Sequence, residues 1–226
     1  MTARLRIDFV SDVACPWCVV GLRSLSQALE AVGKDVEADI HFQPFELNPD
    51  MPPEGQNTTE HVREKYGASP EQSAKSRQAI KDSGAALGFT FNYGPESRIW
   101  NTFDAHRLLY WAGIEGRQRQ MKEALFTLNF TEQKSTSDHE ALAQAAGSAG
   151  LDGARAREIL KSGAFTDEVR HEEEVWRNRG INAVPAIIFN QRWMIQGGQP
   201  PPVFEQAIRQ IISGKAQEER ASSSPA

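Results

Sequence analysis

The spacing of apolar residues changes period several times along this chain, and the order of those changes restricts the fold more than any other feature. Leu5, Ile7 and Phe9 alternate with Arg4, Arg6 and Asp8, the two-residue period of a strand. From Pro16 the period lengthens. Leu22, Leu25, Leu29 and Val32 fall at steps of three and four, and Gly33 closes the helix. Val36, Ala38, Ile40 and Phe42 then alternate with Glu37, Asp39, His41 and Gln43, a second strand. Strand, helix and strand in this order call for a right-handed crossover and a parallel pair.

A loop rich in Pro and Gly, "ELNPDMPPEGQN", follows. Helical spacing then dominates, with segments expected over 59–66, 70–87, 100–113, 117–130, 138–149, 152–161 and 164–179. Thr58 or Thr59, Ser69, Ser137 and Asp152 are the expected caps. Strand character returns in "AIIF" (186–189) and "RWMIQ" (192–196), and Asn190-Gln191 between them reads as a hairpin turn. Phe204, Ala207, Ile208, Ile211 and Ile212 form a last amphipathic helix. With the helical stretch removed, the order βαβ–ββα is an α/β thioredoxin arrangement, a mixed sheet with helices on both faces. The expected division is a discontinuous thioredoxin-like domain (1–50 and 180–213), an all-helical insertion (51–179) and a disordered tail (214–226).

Composition excludes some functions. A net charge of -5 and a mean hydropathy of -0.52 describe a mildly acidic, water-compatible surface. A broad nucleic-acid surface needs clustered Lys and Arg, so no nucleic-acid partner is expected. No run approaches the ~18 apolar residues of a membrane span, so no membrane partner is expected either. The N-terminus "MTARLRIDFV" has no apolar leader, and the expected location is the cytoplasm.

Cys15 and Cys18 are the only cysteines, and both fall in "SDVACPWCVVGL" between the first strand and the first helix. A structural disulfide is unexpected in a cytosolic chain. Zinc needs further Cys or His at short spacing, which is missing, so no metal is expected. Inert buried thiols are the plain alternative. Redox chemistry accounts for the placement. Cys15 takes the N-cap position and Pro16 the first helical position, where no N–H is needed. The free amides of Trp17 and Cys18 and the helix dipole then favour a Cys15 thiolate. Such sites lower a Cys pKa from about 8.5 to about 3.5–7.5. Cys15 is the expected nucleophile, and Cys18, one turn in, the expected resolving thiol. Pro16 and Trp17 help set a potential that spans about −270 to about −120 mV across this motif class.

"SDVACPWCVVG", "FQPFELNPDMP", "NTFDAHRLLYWA" and "AVPAIIFNQRWMIQGGQP" together resemble the FrnE-type branch of the DsbA-like thioredoxin proteins, over about residues 5–212. The resemblance implies a thioredoxin fold with a helical insertion and thiol–disulfide oxidoreductase activity on protein or small-molecule thiols. Thiol–disulfide exchange requires no cofactor, and glutathione is one candidate co-substrate. The resemblance also implies a cis bond before Pro185 and a Val184 backbone that pairs with substrate. Without the resemblance, Pro185 reads as an ordinary trans proline opening an edge strand. The same superfamily holds 2-hydroxychromene-2-carboxylate isomerases and kappa-class glutathione transferases. These typically carry Ser at the position of Cys15, and the cysteine found there, with Cys18 beside it, favours redox chemistry; a glutathione-dependent isomerase or transferase acting on an aromatic or polyketide-like small molecule is the alternative. A non-enzymatic binding module is a third. The second cysteine pair found near the C-terminus of some FrnE-type members is absent.

Other residues have two readings each. Asp12 either tunes proton transfer at Cys18 or makes a turn hydrogen bond. His106 either faces a substrate cleft or is a satisfied core histidine. Asn101 either binds substrate or caps a helix. Phe45 is an expected cleft rim, and Trp17 an expected apolar platform. Trp100, Trp111, Trp176 and Trp193 read as core, and "HEEEVWRNRG" as a solvated helix face. An apolar face of the insertion would serve a homodimer as well as a core.

Overall fold

The computed structural model describes residues 2–214. β1 (Ala3–Ser11), α1 (Pro16–Val32) and β2 (Val36–Pro44) make the first unit, with a 3-10 turn at Gly33–Asp35. β1 and β2 pair in parallel from Ala3 opposite Val36 to Ser11 opposite Pro44. Gly33 ends α1 at φ 67°, an angle that favours glycine.

The insertion opens with β3 (Gln56–Asn57), α2 (Thr58–Tyr66), α3 (Pro70–Ala86) and β4 (Arg98–Ile99). β3 and β4 form a two-stranded antiparallel pair that sequence spacing does not reveal, because two residues carry no period. α4 (Phe103–Ile114) and α5 (Gln118–Phe126) follow, then a π turn at Thr127–Thr131, α6 (His139–Ser148), α7 (Gly153–Ser162) and α8 (Thr166–Asn178). Ser69 caps α3 in a reciprocal box with Gln72, and Asp152 caps α7. Asn57 rather than Thr58 or Thr59 caps α2, and Asp138 rather than Ser137 caps α6. In both, the carboxyl or amide oxygen one residue earlier reaches two free N–H groups.

β5 (Ala186–Phe189), β6 (Trp193–Gln196) and α9 (Pro201–Ile212) close the fold. The sheet order is β2-β1-β5-β6, with β5 antiparallel to β1 and β6 antiparallel to β5. Asn190 and Gln191 at φ 48° and 56° give the hairpin two left-handed central residues, the geometry that matches strand twist. This is a mixed α/β thioredoxin fold with a helical insertion between β2 and β5. The expected tail beyond Gly214 lies outside the described residues.

Two apolar clusters interlock across the insertion boundary. The first joins Phe9, Leu22, Leu25, Phe189, Phe204 and Ile208 of the sheet, α1 and α9 to Phe126 and Phe130 of the insertion. The second lies among α4–α7, around Leu108, Met121, Leu142 and Ile159, and takes in Val13 from the β1–α1 loop. Asn129 Nδ2 also donates to the Val13 carbonyl at 3.1 Å. The insertion therefore grips the loop that carries the cysteines. Trp111 and Trp176 are buried as expected. Trp193, on edge strand β6, and Trp100, just after β4, are only half-buried.

Candidate active site

Cys15 is the N-cap of α1 and Pro16 its first residue. The loop before it is tight: Asp12 Oδ1 accepts from Ala14 N–H at 3.2 Å, and the Asp12 carbonyl accepts from Cys15 N–H at 3.3 Å. The expected capping of the helix by the Cys15 sulfur is not what the structure holds. The helix amides receive no side-chain cap, and Cys18 N–H bonds the Cys15 carbonyl at 3.1 Å. The Cys15 sulfur lies 3.6 Å from the Val184 carbonyl oxygen. The Val184–Pro185 peptide is cis. An ideal Cβ built on Gly21 would stand 3.2 Å from Pro185 Cγ, so glycine lets α1 approach this loop closely.

Both cysteines are free. They differ in surroundings. Cys15 lines a cleft of about 910 Å³ with Trp17, Phe45, Tyr66, Phe130 and Val184. Trp17 is 38% exposed at its mouth, and Phe45 is buried in its wall. α2 and α3 form the opposite wall, with His61 and Arg77. Cys18 does not line the cleft and is sealed from solvent. Burial, and then the neighbouring Cys15, push its thiol well above the ordinary value. The Asp12 backbone and the Lys122 ammonium oppose that rise.

Asp12 is buried behind the pair. Its Oδ2 accepts from Leu47 N–H at 2.7 Å, and Oδ1 lies 3.4 Å from His106 Nε2. Burial favours the neutral acid, but His106, Leu47 and Thr102 together hold the carboxyl below its usual range. Glu46 lines the cleft beside Phe45 and is buried. Arg170 Nη1 bonds Glu46 Oε2, and Glu173 Oε2 at 2.9 Å, while its guanidinium lies 3.6 Å over the Phe103 ring. Burial and the nearby Glu173 push Glu46 up to about 7.

Among the described residues no cluster of His, Cys, Asp or Glu is placed to hold a metal ion. The model of the DsbA-like thioredoxin domain matches residues 6–209. The chain belongs to the DsbA-like thioredoxin family. A crystal structure of a probable DsbA oxidoreductase from Streptomyces coelicolor is 32% identical, with TM-score 0.87 over 93% of this chain and 90% of that one. YwbO of Bacillus subtilis (strain 168), an uncharacterized protein, is 27% identical over 92% of this chain and 96% of its own length. A 2-hydroxychromene-2-carboxylate isomerase structure, 16% identical, shares the fold at TM-score 0.68, covering 97% of this chain and all 100% of its own.

Within this DsbA-like frame, the structure gathers Cys15, Pro16, Trp17, Phe45 and Val184 at one cleft. Asn101 and His106 lie elsewhere. Asn101 Nδ2 is held by the Pro49 and Met51 carbonyls at 3.2 Å, and its Oδ1 takes Phe103 N–H at 2.9 Å. Its Nδ2 and Oδ1 are thus engaged in fixing the loop and starting α4. His106 is buried against Asp12 and opens on a separate cavity. Glu173 corrects the reading of α8 as a solvated face, since it is buried. Glu46, Glu173 and Lys122 escaped the sequence reading because charged residues are ordinarily exposed. The available signal was spacing. Glu173 shares a stripe with Val169 and Trp176, and Lys122 shares one with Leu125 and Phe126.

Proposed function

We propose that this DsbA-like protein is a thiol–disulfide oxidoreductase. Cys15 thiolate attacks a substrate disulfide, forms a mixed disulfide and expels one substrate thiolate. Cys18 loses its proton and attacks the Cys15 sulfur. A Cys15–Cys18 disulfide forms and the second substrate thiolate leaves. The reverse sequence oxidises a dithiol. The contrast between the two buried thiols carries this reading: Cys15, 3% exposed, lines the cleft, while Cys18, 0% exposed, lies one turn behind it and does not. Val184 offers backbone groups beside the reacting sulfur, Pro185 holds the loop against α1, and Trp17 offers an apolar landing. Asp12 holds the loop before Cys15. No metal or organic cofactor enters these steps, and glutathione serves as a co-substrate.

The size and apolar walls of the cleft favour one second reading, a glutathione-dependent isomerase or transferase acting on a small aromatic molecule. One experiment separates the two. Turnover of a disulfide-containing peptide is measured for Cys15→Ser and Cys18→Ser. The oxidoreductase predicts loss in both, with a covalent Cys15 adduct accumulating in Cys18→Ser. No disulfide turnover in the wild type, beside glutathione-dependent conversion of a small aromatic substrate that survives Cys18→Ser, favours the isomerase or transferase.

A further inference from the structure

The chain as a whole is acidic, with a net charge of -5, but the walls of the Cys15 cleft are not. Lys65, Arg77 and Arg98 line the cleft with Cys15, against one acid, Glu46. Glu46 is buried and bonded to Arg170, so its charge is answered from behind the wall. α2 and α3 also carry Glu60, Glu64, Glu71 and Asp82, and none of these lines the cleft. Arg77, half-buried on α3, donates from Nη1 to Thr59 Oγ1 at 3.2 Å. Lys65 Nζ, on α2, donates to the Leu47 carbonyl at 2.7 Å and to Asn48 Oδ1 at 2.6 Å, and Leu47 and Asn48 line the cleft too. Arg98 donates to the Glu54 and Gly55 carbonyls. All of these acceptors are uncharged, and among the described residues no carboxylate pairs with the three bases. A guanidinium has five N–H donors and an ammonium three, so Arg77 and Lys65 keep donors for a ligand.

We propose that the cleft receives disulfides flanked by carboxylates, with Arg77 and Lys65 as the receiving cations. The proposal rests on the redox reading of Cys15 and Cys18. A cleft lined by one sign of charge concentrates ligands of the other sign. The cations also answer a cost of the chemistry. A thiolate that approaches an acidic disulfide is repelled by its carboxylates, and positive charge on the same wall offsets that repulsion. Arginine suits the task, because its planar fork can give a carboxylate two parallel N–H bonds. Arg77 has Nε and Nη2 uncommitted. Lys65 adds a point charge where α2 meets the loop after β2. The exchange of sulfur bonds is unaltered, since the carboxylates make and break no bond. An acidic polypeptide segment and a small carboxylic acid disulfide share this chemistry.

Reduced protein is mixed with cyclic peptides that differ only in carrying Asp, Asn or Lys beside the disulfide. The rate at which each oxidises the protein is read by acid quench and mass. Each rate is divided by that of the same peptide with 2-mercaptoethanol, which removes intrinsic reactivity. The wild type should take the Asp peptide about tenfold faster than the Asn peptide at low salt, with the Lys peptide slowest. The gap should close as salt rises. Arg77→Gln should narrow the Asp-to-Asn ratio, and Arg77→Glu should invert it. Equal wild-type rates for the Asp and Asn peptides overturn the proposal, however the variants fold. An equal loss on all the peptides in Arg77→Gln shows that the base acts on Cys15 itself, and overturns it too. The same preference for dithiodiglycolate over neutral bis(2-hydroxyethyl) disulfide supports the proposal with small acids as substrates. A preference confined to the peptides supports it with acidic polypeptides. Reduced protein that none of these disulfides oxidises overturns the redox reading together with it.

Discussion

The Cys15 sulfur lies 3.6 Å from the Val184 carbonyl oxygen, across 169 residues of chain. The contact joins the start of α1 to the loop that opens β5, so the reactive sulfur and the backbone beside it belong to opposite ends of the fold. Whatever moves α1 against that loop alters both at once.

Gly21 packs against the same loop. A methyl at this position would stand 3.2 Å from Pro185 Cγ. Gly21→Ala sets a helix gain of about 0.5–1 kcal/mol against pressure on Pro185, and is expected to change stability by less than about 1 kcal/mol while slowing reaction of Cys15 with a small disulfide. Denaturant titration and single-turnover kinetics measure the two effects.

His106 Nε2 lies 3.4 Å from Asp12 Oδ1, and both side chains are buried. His106→Ala removes a neighbour that holds the Asp12 carboxyl down and leaves a void in the packing. It should destabilise the protein by about 2–5 kcal/mol at neutral pH. The sign follows from the lowered Asp12 pKa: its contribution is present above the ordinary carboxylate range and fades as pH falls through the native value. The gap between variant and wild type should therefore narrow at acid pH, as urea unfolding across pH would show.

Glu46 works in the opposite sense. Its native pKa, raised to about 7, means the folded state holds a proton that the unfolded chain has lost above about 4.5. Stability linked to it is full below about 4.5 and declines as pH rises towards 7. Glu46→Gln keeps the Arg170–Glu173 pair and removes the titration. It should flatten the dependence between about pH 5 and 8 and gain about 1–3 kcal/mol at pH 8.

Trp17 is 38% exposed at the cleft mouth. Trp17→Ala should lower kcat/KM for an apolar disulfide about tenfold, the weight of one aromatic contact, and leave a small hydrophilic disulfide nearly unaffected. Equal losses on both would contradict a docking role.

Local periods made the main strands and helices legible, since Leu5, Ile7 and Phe9, or Leu22, Leu25 and Leu29, declare their geometry to near neighbours. The Cys15–Cys18 spacing and Pro16 likewise state a helix start. The partners of Asn101 and His106 were not legible. Asn101 meets Pro49 and Met51, and His106 meets Asp12, through contacts that only the folded insertion creates. Burial of Lys122 and Glu173 was hidden for a different reason: their charge argues for the surface, and only their place on apolar stripes argues against it.

The central claim, that Cys15 and Cys18 form one redox couple, is tested most directly by titrating the purified protein across glutathione redox ratios. Thiols are trapped at each ratio and counted by mass, with Cys18→Ser run alongside. The account predicts one reversible two-electron transition in which both thiols change together, and a Cys15–glutathione adduct that accumulates in Cys18→Ser. Thiols that stay reduced and unmodified at every ratio would contradict it.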